Sequence, residues 1–299
     1  MNKLKLITVM LAVAALVQTG DACTVVIAGK KATVDGSVLN SHTDCGPDCR
    51  IQVVPGQKYP KGTMAPVYYG ILTRNRPEMG EGEILGYIPQ VEETYTYFHS
   101  AYSHINEYQL CIGESTMSQR PELQVGKGEG KQIMTVEQAA VFALQRCKTA
   151  EEALSLITSL MEKYGFMPSC GPESECLTLA DPDKVWVLEL FSVGKDWTPE
   201  SGKPGVIWAA QRLPDDQVAI IPNWSIIKEI DLSKPDQFRA SSNYMQEAVD
   251  RGWYDPSGKH PFVWQEVYAP TPREWSTNRF WLFYETFAPG TTSIPRHTN

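Results

Sequence analysis

Apolar and polar positions change period several times along this chain of 299 residues. The first apolar run is continuous. It covers residues 6–17 (LITVMLAVAALV) and follows Lys3 and Lys5. At 12 residues it falls short of the roughly 20 that cross a bilayer. Gly20 and Ala22 follow it, which is the layout of a secretory leader cleaved after Ala22. Residues 23–29 (CTVVIAG) are apolar and β-branched and predict a strand. Residues 30–36 supply turn residues, and 37–42 (SVLNSH) alternate as the returning strand of a hairpin. Further strands are predicted at 50–54, 84–88, 95–102 and 108–112.

The period then lengthens. Thr135 with Gln138, and Thr149 with Glu152, each stand three apart at the head of a helically spaced apolar run, the pattern of a capping box. The short link between the two helices predicts an antiparallel pair. Strands resume at 177–180, 185–190 (VWVLEL), 206–212 (VIWAAQR) and 218–221, and a third helix is predicted over 238–249. Residues 251–299 hold four of the eight Trp and are expected to pack on the body. Strands, helices, strands and a helix in succession predict an α+β fold, with a leader at 1–22 and one domain at 23–299.

Composition narrows the class. A hydrophobic share of 42% with 10% aromatic residues excludes disorder. The excess of 35 acids over 27 Lys and Arg, a net charge of −8, argues against a nucleic-acid partner. Beyond the leader no run approaches a membrane span, so no stable insertion is expected once it is removed. The seven Cys would meet an oxidising compartment after export, and an odd count leaves one thiol over. Cys45 with Cys49, and Cys170 with Cys176, lie in Gly- and Pro-containing loops and read as small disulfide loops. Cys111 with Cys147 is the remaining candidate pair, which leaves Cys23 as the odd thiol. The five His do not cluster with Cys at ligand spacing, so neither a metal nor another cofactor is expected.

Cleavage after Ala22 gives Cys23 a distinctive chemistry. Its thiol and a free α-amine share one residue, and an α-amine titrates at about 7.7–8. A base beside a thiol is what nucleophilic catalysis needs, so Cys23 brings its own. Asp44, at the end of the returning strand, is placed to accept a hydrogen bond from that amine. Asn106 and Asn223 each stand at a strand end, where a side-chain amide suits an oxyanion donor.

Residues 23–37 (CTVVIAGKKATVDGS) followed by 41–44 (SHTD) resemble the opening of the bacterial cysteine dipeptidases of the dipeptidase A type, relatives of the secernins. The stretches 106–115 (NEYQLCIGES), Trp186 to Glu189, and 208–216 (WAAQRLPDD) on to Asn223 agree with that family in order and spacing. The resemblance implies an N-terminal-nucleophile hydrolase, a four-layer αββα sandwich, that hydrolyses dipeptides through Cys23. It gives Asp44 the acid's place, sets Asn106 and Asn223 near oxyanion-holding positions of related amidases, and puts His42 where some members carry Arg. His42 and Arg212 are the candidate substrate contacts. Members of the family are longer, with a further region after the Trp-rich segment, so the chain reads as a C-terminally shortened member, a fragment or a frame-altered product. Small peptides are the expected partners, a homo-oligomer is compatible with the sequence, and the expected location is the periplasm or the medium. An acylamidase of the conjugated bile salt or penicillin type uses the same nucleophile and differs in its pocket. A lipid anchor on Cys23 of a non-enzymatic binding protein is the reading of another class. Gly20 and Asp21 oppose it, since lipidation signals favour Leu three places before the Cys.

Overall fold

A computed structural model describes residues 23–43, 50–69, 82–102, 104–168, 171–271 and 274–291. The expected leader, Asp44, Cys45, Cys49 and Cys170 lie outside the described residues. From Cys23 the chain enters β1 (Thr24–Ala28) and returns as β2 (Leu39–Thr43), antiparallel, with Thr24 opposite Thr43. The turn between them is closed by the Asp35 carboxylate, which accepts from Ser37 N and Oγ, and by Gly36 at φ 79°.

The first half continues through β3 (Gln52–Val54), β4 (Met64–Tyr69), β5 (Glu83–Pro89), β6 (Tyr97–His99), β7 (Ile105–Asn106) and β8 (Cys111–Met117). After β9 (Met134–Thr135) come the two expected helices, α1 (Val136–Arg146) and α2 (Ala150–Tyr164). Thr135 Oγ1 accepts from Gln138 N, and Thr149 with Glu152 forms a complete reciprocal capping box. Then follow β10 (Phe166–Met167), β11 (Ser174–Ala180), β12 (Val185–Phe191), β13 (Ile207–Arg212), β14 (Val218–Ile221), β15 (Phe238–Ala240), α3 (Gln246–Asp250), α4 (Trp264–Tyr268) and α5 (Glu274–Phe287).

Among the described residues the larger sheet runs β15-β13-β12-β11-β8-β7-β6-β3, and β1 is the centre of a smaller one, β14-β1-β2. One face of the large sheet, with Leu177, Leu179 and Leu188, packs on α1 and α2 through Phe142, Ile157 and Met161. Its other face, with Cys176, Val187 and Phe191, meets Val25, Ile27 and Ile221 of the small sheet. Burial on both faces is why VWVLEL is apolar at every position but Glu189.

The two sheets approach closely where Asn40 bridges them. Its Nδ2 donates to Cys111 O at 3.2 Å and to Thr178 O at 3.3 Å, and its Oδ1 accepts from Thr178 Oγ1 at 2.9 Å. A Cβ on Gly113 would stand 2.6 Å from Thr178 Oγ1 and 3.0 Å from Asn40 Oδ1. The Gly113→Val substitution is therefore expected to destabilise the fold by about 3 kcal/mol, read as a lowered melting temperature.

Several expectations are corrected. The strand predicted at 108–112 begins only at Cys111, because Asn106 Oδ1 accepts from Tyr108 N and Leu110 N and Gln109 sits at φ 65°, which makes a turn there. The helix predicted over 238–249 divides into β15 and α3, since 238–240 pair with β13 and Ser241 continues that contact through Trp208. Cys111 and Cys147 are separate thiols that contact the two different cores on opposite sides of the large sheet. Burial raises Cys111 to about 11 and Cys147 to about 12. Cys176 is likewise a thiol, fully buried in β11, not half of a loop disulfide.

Candidate active site

The register of β1 against β14 pairs Val25 with Ile221. Cys23 lies two residues before Val25 and Asn223 two residues after Ile221, so both stand at this end of the ladder, where Arg279 bonds to each. Both are 3% exposed. Asn223 is held on every side. Its backbone is left-handed at φ 58°, a conformation that Asn adopts more readily than other non-glycine residues. Its N–H donates to Ser115 Oγ at 3.0 Å and its Nδ2 to Thr116 O at 2.7 Å. Its Oδ1 accepts from Arg279 Nη2 at 2.9 Å.

Arg279 comes from the middle of α5 and ties the two chain segments together. Nη1 donates to Cys23 O at 2.9 Å and to Thr24 Oγ1, and Nη2 donates to Pro222 O at 2.8 Å. With its oxygen turned to the guanidinium, the Asn223 amide has one N–H on Thr116 and, among the described residues, one uncommitted. Burial brings Arg279 down to about 10, against the pull of the neighbouring Cys23 sulfur, so it stays cationic at neutral pH. A cation beside a sulfur favours the thiolate.

His42 sits on β2 opposite Val25 and points to the large sheet. Its Nδ1 accepts from Glu114 N at 3.3 Å. With Ser100, His104, Cys111 and Gly113 it lines a cleft of about 350 Å³ between the sheets. Burial lowers the His104 pKa, so that ring favours the neutral form.

Two sequence candidates are not brought to Cys23. Asn106 lies past the Cys111 end of β8, away from the Ser115–Thr116 end that meets Asn223. Both of its amide hydrogens are spent, on Leu144 O and Cys147 O at 2.8 Å each, so it caps the end of α1 and has no donor for an oxyanion. Arg212 lies by the opposite end of β1, where Val218 pairs with Ala28, and Nη2 donates to Asp215 Oδ1 at 2.7 Å to clamp the 214–216 turn. It is a structural residue rather than a contact near Cys23. Asp44 lies outside the described residues.

Arg279, Ser115 and Thr116 were not singled out from the sequence. Ser115 closes the 106–115 block and Thr116 follows it. For Arg279 the available signal was a lone cation in an aromatic-rich helical run, EWSTNRFWLFYETF. Among the described residues no group of three His, Cys, Asp or Glu is arranged to hold a metal ion, and no helix is long and apolar enough to cross a membrane.

The chain is 24% identical over 240 residues to a protein named "Probable dipeptidase B" from Lactococcus lactis subsp. lactis (strain IL1403), covering 79% of this chain and 45% of that one. It is 23% identical over 287 residues to a "Probable dipeptidase" from Latilactobacillus sakei, covering 87% and 53%. It is 24% identical over 302 residues to "Probable dipeptidase A" from Streptococcus pyogenes serotype M3 (strain SSI-1), covering 92% and 56%. The chain thus spans about half the length of the curated relatives it matches. The profile of peptidase family C69 matches residues 22–299, beginning one residue before Cys23. By that match over nearly its whole length, the chain belongs to peptidase family C69.

Proposed function

We propose that this protein is an exported cysteine dipeptidase whose nucleophile is Cys23, freed as the chain terminus by removal of residues 1–22. The observation that carries the reading is Arg279, which is bonded to both Cys23 O and Asn223 Oδ1. It joins the backbone of a strand-leading cysteine to an amide with an N–H to spare. The family and the names of the relatives support peptide substrates. In the same reading the two sheets, with α1 and α2 outside one and α5 beside the other, are the layers of an N-terminal-nucleophile sandwich.

In the proposed reaction Cys23 Sγ attacks the dipeptide carbonyl carbon while the α-amine takes the thiol proton. The carbonyl oxygen becomes an oxyanion and accepts the spare N–H of Asn223. The tetrahedral adduct collapses to a thioester, the C–N bond breaks, and the amine returns the proton to the departing amino acid. Water, deprotonated by the same amine, then hydrolyses the thioester and restores the thiol. Asp44 is the proposed partner that orients the amine. The cleft beside His42 is the proposed seat of the substrate.

The experiment is a substrate panel on a chain that begins at Cys23. Turnover of dipeptides above N-acyl amino acids and conjugated bile salts is the expected result. The reverse order would assign the chain to the acylamidases. Replacing His42 with Phe is expected to raise KM about tenfold, near 1.4 kcal/mol, with kcat held within about threefold. Steady-state kinetics on one good dipeptide checks this.

A further inference from the structure

Glu189 lies in a stretch marked by the family resemblance, yet no step above uses it. Its side chain is fully buried between the two sheets, on the same face of β12 as Val187 and Phe191. Burial pushes its pKa up, and an ionised carboxylate survives there only if it is well bonded. It is. Oε2 accepts from Ser225 Oγ at 2.5 Å and Trp264 Nε1 at 2.7 Å. Oε1 accepts from Ile226 N at 2.6 Å and Ile227 N at 3.2 Å. All four partners are donors, which matches the acceptor-only, ionised form.

The location of these donors matters more than their number. Three lie in consecutive residues, 225–227, starting two residues after Asn223. The fourth is on α4, whose Gln265 also donates to Ser225 O. Before Asn223 the chain is fixed by β14, paired to β1. After it the chain is fixed by the four bonds to this carboxylate, with Gln265 on Ser225 O and Trp264 N on Lys228 O at 2.8 Å as further ties. The left-handed backbone of Asn223 is therefore clamped between a strand and Glu189.

We propose that Glu189 is a positioning residue: by fixing the 225–227 turn it holds the Asn223 amide where the oxyanion forms. The inference rests on the N-terminal-cysteine reading above. A residue that only fills the core would affect stability and thiol access alike. One that aims an oxyanion donor affects the transition state, hence kcat, and leaves KM and the bare reactivity of Cys23 in place.

The test compares N223A, E189Q and S225A with the parent, all in the chain beginning at Cys23. It reads kcat and KM on a dipeptide, the rate of Cys23 alkylation by iodoacetamide, and the melting temperature. N223A is expected to lose on the order of 10²–10³ in kcat. E189Q turns an N–H₂ toward donors, and is expected to lose roughly 10–100-fold in kcat with KM within about threefold and alkylation unchanged. S225A removes one of the four bonds and is expected to lose about threefold in kcat; it decides the matter if E189Q does not fold. If N223A is impaired while E189Q, or S225A in its place, keeps the parent kcat, the Glu189 inference alone is overturned. Alkylation falling in step with kcat overturns it too. If N223A keeps full activity, the oxyanion reading fails and takes this inference with it.

Discussion

Replacing Cys23 with Ala, in a chain that begins at that residue, is expected to lower dipeptide hydrolysis by on the order of 10⁴ or more while the protein still folds. The size follows from the role. Without the sulfur no thioester forms, and what remains is binding plus whatever the oxyanion donor does for direct attack by water. A 10⁴-fold loss is about 5.5 kcal/mol of transition-state stabilisation. Folding is expected to survive because Cys23 precedes β1, and the ladder to β2 and β14 is made by residues 24–28. Cys23→Ser keeps a nucleophile of similar size but with a hydroxyl that ionises far less readily, so a small residual rate is expected. A chain with one extra residue ahead of Cys23 keeps the sulfur and turns the amine into an amide. It is expected to be as inactive as the Ala variant, which separates the role of the nitrogen from that of the sulfur.

Replacing Arg279 with Met is expected to cost about 10³ in kcat/KM, beyond the loss of any single neutral hydrogen bond. Three effects combine. Cys23 O and Pro222 O lose a charged donor. The Asn223 amide loses the partner that fixes which way it faces. The sulfur loses a neighbouring cation. The last has a sign that can be measured. A cation lowers the pKa of a nearby thiol, so its removal is expected to move the alkylation profile of Cys23 to higher pH by about 1–2 units. Arg279→Lys keeps the charge but not the fork that reaches four acceptors, so it is expected to leave the profile near its place and still lose much of kcat. A profile that does not move in the Met variant would mean that Arg279 acts on the backbone alone.

What could be read from the sequence was local. The hairpin that carries Cys23 announces itself by alternation around a Gly turn, and α1 and α2 by Thr caps three residues before Gln138 and Glu152. These signals lie within a few residues of one another, and the structure places the elements there. The misreadings share a different cause. Asn106 has the right residue type at a strand end, but the carbonyls of Leu144 and Cys147, some forty positions away, take both of its hydrogens. Residues 238–249 have helical spacing, but the open edge of β13 draws the first three into the sheet. Cys111 and Cys147 look like a pair by elimination, yet they contact different cores. Arg279 carries no motif because its meaning depends on contact with Cys23, 256 positions earlier. The resemblance runs from Cys23 to about Asn223, and more weakly to Arg251, and therefore stops short of it.

The most direct test of an N-terminal nucleophile is the mass of the active protein, taken as recovered from a producing cell, before and after treatment with a small aldehyde. Such an aldehyde condenses with a free thiol and a free α-amine on one residue, forming C–S and C–N bonds with loss of one water. The expected result is a chain starting at Cys23 that gains this single adduct and loses activity in proportion. An active chain with a different first residue, or one that keeps full activity with the adduct in place, would contradict the account.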